Sequence, residues 1–265
     1  MSGIQAPDKE TMEACRLYVD NLIKPIHSLG KLEDIAVRLA GITGKIKPGK
    51  LNKAIVIMAG DTAVDGENKT GGKTSLTEVQ MASRGLGTVS AVARTLGAPV
   101  YLIDVGLEQN TNDIEGVLTN KVVYGTHRGN PALDQDAVSA AISIGMSVAR
   151  TLAVQGIQAV GLGNIGERSL LSALGVTAAI MKKELQENSL KDGFSLHMDD
   201  VGNMANDPVG VLSRVGSAEI AGLFGLVVQA AREKIAIVFD NAVTGAAVLA
   251  AIEVYPEVRD YVFPS

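Results

Sequence analysis

Three aspartates stand at or near the ends of apolar runs that read as buried strands. Asp61 follows KAIVIMAG, Asp104 lies in PVYLIDVG and Asp240 ends KIAIVFD. The carboxyl ends of parallel strands meet at one edge of a sheet, and open α/β sheets bind their ligands there. We therefore expect these carboxylates to form an acid–base or ribose-binding cluster. The alternative is that they cap the loops that follow the strands.

A glycine-rich run, Gly161-Leu-Gly163-Asn-Ile-Gly166, follows another apolar run and precedes a predicted helix. Dinucleotide-binding fingerprints have this context, but they also need a second strand that ends in an acidic residue about 20 residues later. No such strand follows, so NAD or FAD binding is disfavoured. Two interpretations remain open: a turn where a phosphate or sugar approaches the backbone, and a purely structural tight turn.

Other reactive side chains lack the neighbours that their chemistry needs. His27, His127 and His197 are far apart in the sequence and have no partner at metal-ligand spacing. Cys15 is the only cysteine, and no Gly-x-Ser-x-Gly elbow occurs. We expect no metal, no cofactor and no nucleophilic catalysis.

Composition excludes several classes of partner. The chain has 265 residues and a net charge of −5, with no basic stripe along any predicted helix, so nucleic acid is not an expected partner. The longest apolar run, 221–228, is too short to span a bilayer. The single thiol and the absence of a signal-like N-terminus favour a cytoplasmic location.

The elements that must position these residues alternate along the chain. Apolar runs at 53–60, 99–106, 158–163 and 234–240, and a shorter one at 120–125, predict strands. Amphipathic helices are predicted at 77–96, 137–152, 168–187 and 217–232, and a long loop at 188–210. This order predicts an α/β fold: a three-layer, Rossmann-like, mostly parallel sheet.

The N-terminal part is predicted to be a separate helical segment. Asp8 can cap a first helix that ends at Lys24-Pro25, and Ser28 can cap a second that closes at Gly41. The Gly/Pro/Lys-rich stretch 41–52 is the best boundary. We therefore divide the chain into a helical segment, residues 1–50, and a Rossmann-like domain, residues 51–265.

Six segments, in chain order, follow the pattern of one known family. KPIHSLGKLE (24–33) is similar to Lys-Pro-Pro-Gly-Ser-Leu-Gly-x-Leu-Glu, and AIVIMAGDTAVDGE to a strand that ends in Ala-Asp-His-Gly-Val. APVYLIDVGL, DPVGVLSRVGSAEIAGLFGLVVQAA and IVFDNAVTGAAVLAA resemble later strands and helices, and GLGNIGERSLL stands in the place of Gly-x-Gly-Glu-x-Gly-x-x-Asn-Thr-Thr. Over essentially its whole length the chain resembles the nicotinate-nucleotide:dimethylbenzimidazole phosphoribosyltransferase family.

The departures from that family fall on its chemistry. The glutamate of the glycine-rich run is Asn164 here, and its Asn-Thr-Thr is Ser169-Leu170-Leu171. The histidine after Asp61 is Thr62, and 191–208 has no counterpart of a phosphate-binding Asp-Asn-Lys segment. The family's proton-accepting glutamate lies in a C-terminal Gly-Glu-Gly-Ser-Gly segment that this sequence does not reach. Because an amide cannot take up a proton as a carboxylate does, we expect the chain to be inactive alone.

The resemblance implies a subunit of a heterodimer, the smaller and catalytically incomplete one, with the glutamate supplied by a full-length homologous partner. The pair would transfer ribose phosphate from nicotinate mononucleotide to phenol, para-cresol or a benzimidazole, with residues 1–41 covering the partner's site. It implies no catalytic residue in this chain, and it implies substrate-binding positions, in its own site or across the interface, at Pro7, Asp61, Thr70, Glu78, Gly163, Gly166 and Asp240. The alternative is a pseudoenzyme that binds a nucleotide or base as a sensor or carrier.

Overall fold

The computed structural model describes residues 3–63, 71–127, 131–183 and 207–265, and it confirms the α/β prediction. Six strands form the main sheet: β1 (Lys53–Gly60), β3 (Val100–Gly106), β4 (Val117–Thr119), β6 (Ala159–Ile165), β7 (Ala236–Phe239) and β8 (Val262–Pro264). A separate pair consists of β2 (Thr62–Ala63) and β5 (Thr126–His127). The helices are α1 (Lys9–Asp20), α2 (Lys31–Thr43), α3 (Lys73–Ser83), α4 (Thr88–Leu96), α5 (Gln135–Val154), α6 (Ser169–Ile180), α7 (Pro208–Val215), α8 (Ala218–Arg232) and α9 (Ala242–Val254), with a 3-10 turn at Pro256–Asp260.

The strand order places a topological switch point between β1 and β6. The order is β4-β3-β1-β6-β7-β8, and every neighbouring pair is parallel. From β1 the chain builds outwards in one direction through β3 and β4, and later in the other direction through β6, β7 and β8. Crevices for ligands form outside the carboxyl ends of strands where the order reverses in this way. The strand order therefore predicts a ligand site at the carboxyl ends of β1 and β6.

The two faces of the sheet are packed differently. Val56 and Met58 of β1 belong to the large core that includes α5, α8 and α9. Because side chains alternate along a strand, Ile55 and Ile57 point to the opposite face, where Val79 of α3 packs against Ile57 in a smaller cluster. The sheet thus lies between two helical layers, and the layer that contains α3 is the thinner one.

Helix α5 is long and apolar enough to cross a membrane by length and composition, but it packs along α8. A Cβ atom at Gly145 would lie 1.9 Å from the Gly222 carbonyl oxygen, and one at Gly225 would lie 2.1 Å from the Ile142 carbonyl oxygen. Only glycine permits backbones to approach so closely. The apolar character of α5 is explained by this helix–helix contact in the core.

Helices α1 and α2 form a hairpin that is fastened to the end of the same chain. Cys15, Val19 and Val37 are buried between the two helices. The Arg38 guanidinium donates to the carbonyl oxygens of residues 259, 260 and 262 and stacks 4.1 Å from the centroid of the Phe263 ring. The predicted boundary after residue 50 falls in the connection between this hairpin and β1.

The ends of the hairpin helices differ from the prediction. Asp8 does cap α1, accepting the Thr11 N–H at 2.9 Å, but α1 stops at Asp20, before Lys24-Pro25. Gly30 rather than Ser28 precedes α2. Helix α2 also continues past Gly41 and ends at Thr43, where Gly44, with a φ of 66°, caps it. Gly41 instead permits a close contact between α2 and Met12 of α1, because a Cβ atom at position 41 would lie 2.5 Å from Met12 Cγ.

Three other predicted segments are corrected. The single helix predicted at 77–96 is two helices, α3 and α4, because Gly85 has a φ of 72° and reverses the chain between them. The short strand predicted at 120–125 lies earlier, at β4, and β8 was not predicted. Of the predicted loop 188–210, residues 188–206 lie outside the described residues, and α7 begins at Pro208 behind the Asp207 cap.

Candidate functional site

A cavity of about 760 Å³ opens at the topological switch point. It lies on the face of the sheet to which Ile55 and Ile57 point, next to α3 and α4. Its lining comes from five elements and the end of the chain: Ile55, Ile57, Glu78, Met81, Ala82, 87–90, Val92, 161–165, 238–241 and Ser265. Most of these side chains are apolar, and the polar ones stand at the carboxyl end of the sheet, so the cavity has the character of a small-molecule site.

The floor of the cavity is made of glycine. Gly161 and Gly163 lie two residues apart on β6 and therefore face the same side of the sheet. They pair with Ile55 and Ile57 of β1, and a Cβ atom at Gly163 would lie 3.1 Å from Ile57 Cγ1. The absence of side chains leaves a flat strip of backbone on which a planar ring can lie.

This arrangement confirms the strand predicted at 158–163 and corrects the interpretation of the whole glycine-rich run as a turn. Gly161 through Ile165 belong to β6, and the reversal occurs afterwards, with Arg168 at φ 61° directly before α6. Gly166 has a different role from the two strand glycines. A Cβ atom there would lie 1.9 Å from the Gly60 carbonyl oxygen, so its requirement for glycine is a backbone contact with the end of β1.

The rim of the cavity carries an amide–carboxylate group at the ends of β6 and β7. The Asn241 Nδ2 donates to Asn164 Oδ1 at 3.2 Å and to Asp240 Oδ1 at 3.1 Å. Asp240 is exposed. Glu78 lines the cavity from α3 and is also exposed. Two of the predicted binding residues, Glu78 and Asp240, are therefore at the cavity together with Gly163.

Asp61 is buried and is bound by helix α3 and by two loops. Its side chain is 1% exposed and accepts from the Ser75 hydroxyl, the Glu108 N–H at 2.9 Å and the Glu167 N–H at 3.0 Å. Both carboxylate oxygens are therefore engaged, as the capping alternative describes. Asp61 orders the loops around the cavity, and a direct substrate contact by Asp61 remains a prediction.

The Asp104 carboxylate is bound by the end of β3 and the loop that follows it. Its carboxylate accepts from the N–H groups of Gly106 and Leu107 and from the hydroxyl of Thr111. Lys121 Nζ lies 2.7 Å from Asp104 Oδ2, and both side chains are buried. The three strand-end aspartates thus do not form one cluster: Asp61 and Asp104 are each bound by separate loops, while Asp240 stands at the rim.

Sequence reasoning missed Glu219, a fully buried carboxyl beneath the end of β1. Its Oε1 accepts from the Ser217 hydroxyl at 2.7 Å, and a Cβ atom at Gly60 would lie 2.5 Å from its Oε2. Burial, together with the negative charge of Asp61 and partly offset by the Ser217 hydrogen bond, raises the pKa of Glu219 to about 7. The available signal was a single acidic residue near the start of an otherwise apolar helix.

Two predicted residues remain. Pro7 packs in the hairpin, 3.1 Å from the position of a Cβ at Gly41, and is not part of the cavity lining. Thr70 lies outside the described residues.

A group of possible metal ligands occurs in the hairpin, which corrects the expectation that no histidine has such neighbours. Ligand atoms of Asp20, His27 and Glu33 lie within 4.8 Å of one another. The Lys24 ammonium, however, donates to Glu33 Oε1 at 2.8 Å and lowers the pKa of that carboxyl together with the Leu29 N–H. Because the Lys24 ammonium already pairs with the Glu33 carboxylate, this group of side chains does not fit a metal ion.

The parallel sheet and the cavity at its switch point define a Rossmann-like α/β protein with a small-molecule site at the carboxyl edge. The chain belongs to the nicotinate-nucleotide–dimethylbenzimidazole phosphoribosyltransferase family: a family model described as phosphoribosyltransferase matches residues 4–265. This confirms the resemblance that the sequence motifs indicated.

Relatives and solved structures agree with this assignment. The chain is 34% identical to nicotinate-nucleotide–dimethylbenzimidazole phosphoribosyltransferase of Alkaliphilus metalliredigens, over 99% of this chain and 80% of the relative. It is 33% identical to the enzyme of the same name from Acetivibrio thermocellus, over 97% and 78%. The crystal structure of the Thermus thermophilus enzyme superposes with a TM-score of 0.85 at 26% identity, covering 97% of this chain and 81% of that one.

Proposed function

We propose that this chain is a subunit of a heteromeric enzyme that transfers ribose phosphate from nicotinate mononucleotide to an aromatic acceptor, the future lower ligand of a cobamide. The observation that carries the proposal is the cavity at the switch point. Its glycine floor, Gly161 and Gly163, accommodates a planar ring, and its polar rim stands where the strands end. Enzymes with the name given above supply the reaction class.

The reaction needs a base and a positioned acceptor. The acceptor atom attacks the anomeric carbon of the nucleotide, the bond from that carbon to nicotinate breaks, and the proton of the acceptor passes to a carboxylate. Nicotinate leaves and an α-linked ribotide phosphate remains. Because the transition state has oxocarbenium character, positioning and proton removal carry most of the catalysis.

The described part of the cavity is poorly supplied with such a base. The side chain that follows Gly163 is an amide, Asn164, which takes up no proton at neutral pH. The carboxylates that line the cavity, Glu78 and Asp240, are exposed to solvent. The side chain of Leu170, in the first turn of α6, has no polar atom with which to bind a phosphate. We therefore propose that a full-length homologous partner supplies the catalytic glutamate.

The hairpin provides a surface for that partner. One side of it is fastened to the body of the chain through Arg38. The hairpin also exposes large apolar side chains on α1, on α2 and on the connection between them: Leu17 65%, Leu22 40%, Ile23 109%, Ile26 67%, Leu29 52% and Leu32 64%. Burying one such side chain contributes about 1.5–3 kcal/mol before ordering costs. Six such side chains on one hairpin fit an obligate interface, and such interfaces bury at least about 2,000 Å² in total.

A second apolar stripe adjoins the cavity. Val89, Val92 and Leu96 lie three and four residues apart on one face of α4 and are each about half exposed. Val89 and Val92 also line the cavity. A partner that covers this stripe would close the cavity and exclude water, which strengthens the polar interactions inside it.

The proposal is tested by co-expressing the chain with a full-length homologue and measuring nicotinate release. The isolated chain, given nicotinate mononucleotide and phenol or dimethylbenzimidazole, should release none above background, whereas the co-purified pair should turn over. Leu29→Asp and Leu32→Asp should each abolish co-purification. The matched control is Leu118→Asp on β4, at the opposite edge of the sheet, where the leucine is 53% exposed.

Two results would contradict the proposal. Turnover by the isolated chain at about 1 per second, an ordinary enzyme rate, would show that no partner is needed. A stable monomer that binds the nucleotide without turnover in any combination would favour the sensor or carrier alternative.

A further inference from the structure

The connection between α1 and α2, residues 21–30, is held by one buried carboxylate. Glu33 lies in the first turn of α2 and is 3% exposed. Its Oε1 accepts from the Lys24 ammonium at 2.8 Å and from the Leu29 N–H at 3.1 Å. Its Oε2 lies 3.6 Å from His27 Nδ1. A single side chain of α2 thus contacts the connection at three points.

The backbone of the connection requires a restraint of this kind. His27 has a φ of 60°, in a region that residues other than glycine rarely adopt. The backbone hydrogen bonds around it join near neighbours, such as the Ser28 N–H to the Pro25 carbonyl oxygen at 3.2 Å. Residues in sparsely populated conformations persist when the surrounding structure holds them. Here the Glu33 carboxylate contacts the imidazole of the strained residue itself.

The three points of contact coincide with three exposed apolar side chains. Ile23, which is 109% exposed, directly precedes Lys24, and Ile26, which is 67% exposed, directly precedes His27. Leu29 is 52% exposed and donates its own N–H to the carboxylate. Apolar side chains on an unrestrained segment reduce their contact with water by folding back onto the protein. The contacts with the carboxylate oppose that collapse, since they fix the backbone beside each of the three side chains.

We propose that Glu33 is a positioning residue for the partner interface: it holds the connection in the conformation that the partner subunit binds. The inference rests on the proposed function and specifies which residue prepares its interface. A segment that is already ordered does not pay the entropy cost of becoming ordered during association. Loss of the Glu33 carboxylate should therefore weaken pairing, although every exposed apolar side chain of the hairpin is still present.

A purely structural role for Glu33 makes a different prediction. The hairpin has its own small core, in which Cys15, Val19 and Val37 are buried away from the connection. If Glu33 only stabilised the hairpin, its loss would lower the melting temperature of the free chain. The affinity for the partner, measured well below that temperature, would then stay the same.

The test titrates the separately purified full chain with the full-length homologue and measures hydrogen exchange of residues 21–30 in the free chain. Glu33→Gln removes the charge at nearly constant shape. Lys24→Met removes the ammonium, and Lys24→Arg keeps a cation at the same place. The matched control is Asp34→Asn, which removes a carboxylate from the next residue of α2, an exposed side chain that lies 3.3 Å from the Arg16 guanidinium.

We expect Glu33→Gln and Lys24→Met each to raise the dissociation constant of the pair about tenfold. Both should speed hydrogen exchange in the connection and leave the melting temperature of the free chain nearly unchanged. Lys24→Arg and Asp34→Asn should change neither the dissociation constant nor the exchange. If Glu33→Gln does not fold, the difference between Lys24→Met and Lys24→Arg decides the question.

Three results would overturn this inference and leave the proposed function standing. They are an unchanged dissociation constant in the variants that break the Lys24–Glu33 contact, a higher one without faster exchange, and an equal loss of affinity in Asp34→Asn. A wild-type chain that does not pair with the homologue would overturn both.

Discussion

The buried carboxyl of Glu219 makes the stability of the protein depend on pH in a direction opposite to that of an ordinary salt-bridged acid. Glu219 is fully buried at the start of α8, with the Ser217 hydroxyl as its hydrogen-bond donor. Replacing it with glutamine keeps the shape and the acceptor oxygen but removes the titration. Glu219→Gln is therefore the perturbation that isolates the effect.

The magnitude follows from the pKa. Burial raises it from an ordinary value of 4.5 to about 7, and one pKa unit corresponds to 1.36 kcal/mol. The folded state therefore holds this proton more tightly than the unfolded state, by about 3 kcal/mol. The resulting stabilisation is fully present below about pH 4.5 and is lost as the pH rises through about 7. Above that pH the folded protein must either bury the ionised Glu219 carboxylate or keep it protonated at a pH where carboxyl groups in solution are ionised.

The assay is urea unfolding of wild type and Glu219→Gln at several values between pH 5 and pH 8.5. We expect the free energies of unfolding to be similar near pH 5, and the variant to become the more stable by up to about 3 kcal/mol at pH 8 and above. Glu253→Gln, which removes an exposed carboxylate from α9, controls for the loss of one charge. Parallel pH profiles for wild type and Glu219→Gln would refute the reasoning.

Further substitutions test the glycine contacts and the buried ion pair. Gly166→Ala should destabilise the protein strongly, because its Cβ would meet the Gly60 carbonyl oxygen at 1.9 Å. Gly163→Ala, whose Cβ would lie 3.1 Å from a side-chain carbon, should lower stability less and mainly reduce ring binding in the cavity. Thermal melts measure the first effect, and titrations with an aromatic probe measure the second. Lys121→Met leaves the buried Asp104 charge unpaired and should cost about 3–5 kcal/mol by urea unfolding, and adding Asp104→Asn should recover a large part of it.

The central strands of the fold could be predicted because strands that are buried on both faces have a continuous apolar composition. A strand covered on both faces, such as β1, needs apolar residues throughout, and KAIVIMAG is unmistakable in that respect. The edge strands β4 and β8 have three residues each, and their pairing depends on the neighbours β3 and β7. Three residues contain no period, so no pattern in the sequence could reveal them.

The candidate site was predictable in two ways. Asp240 was expected at the carboxyl edge of the sheet because its strand ends there, whereas Gly163 and Glu78 were implied by the family resemblance, and all three line the cavity. The burial of Asp61 among three backbone and hydroxyl donors depends on α3 and on two loops, whose donors are 14 to 106 residues away in sequence. Such partners are set by tertiary packing, and a single sequence does not specify them.

The glycines of the 161–166 run show why one motif can mislead. The motif interpretation assigned all three to a turn, although the strand predicted at 158–163 already contained Gly161 and Gly163. In the structure these two lie in β6, and Gly166 lies beside the end of another strand. At Gly161 and Gly163 the missing side chains leave space, and that space is the cavity floor. At Gly166 the missing side chain leaves none, because the backbone of β1 fills it. Glycine thus leaves space for the site at positions 161 and 163, whereas at position 166 it permits a backbone contact that fixes the geometry of the site. Substitution costs the fold most stability at position 166.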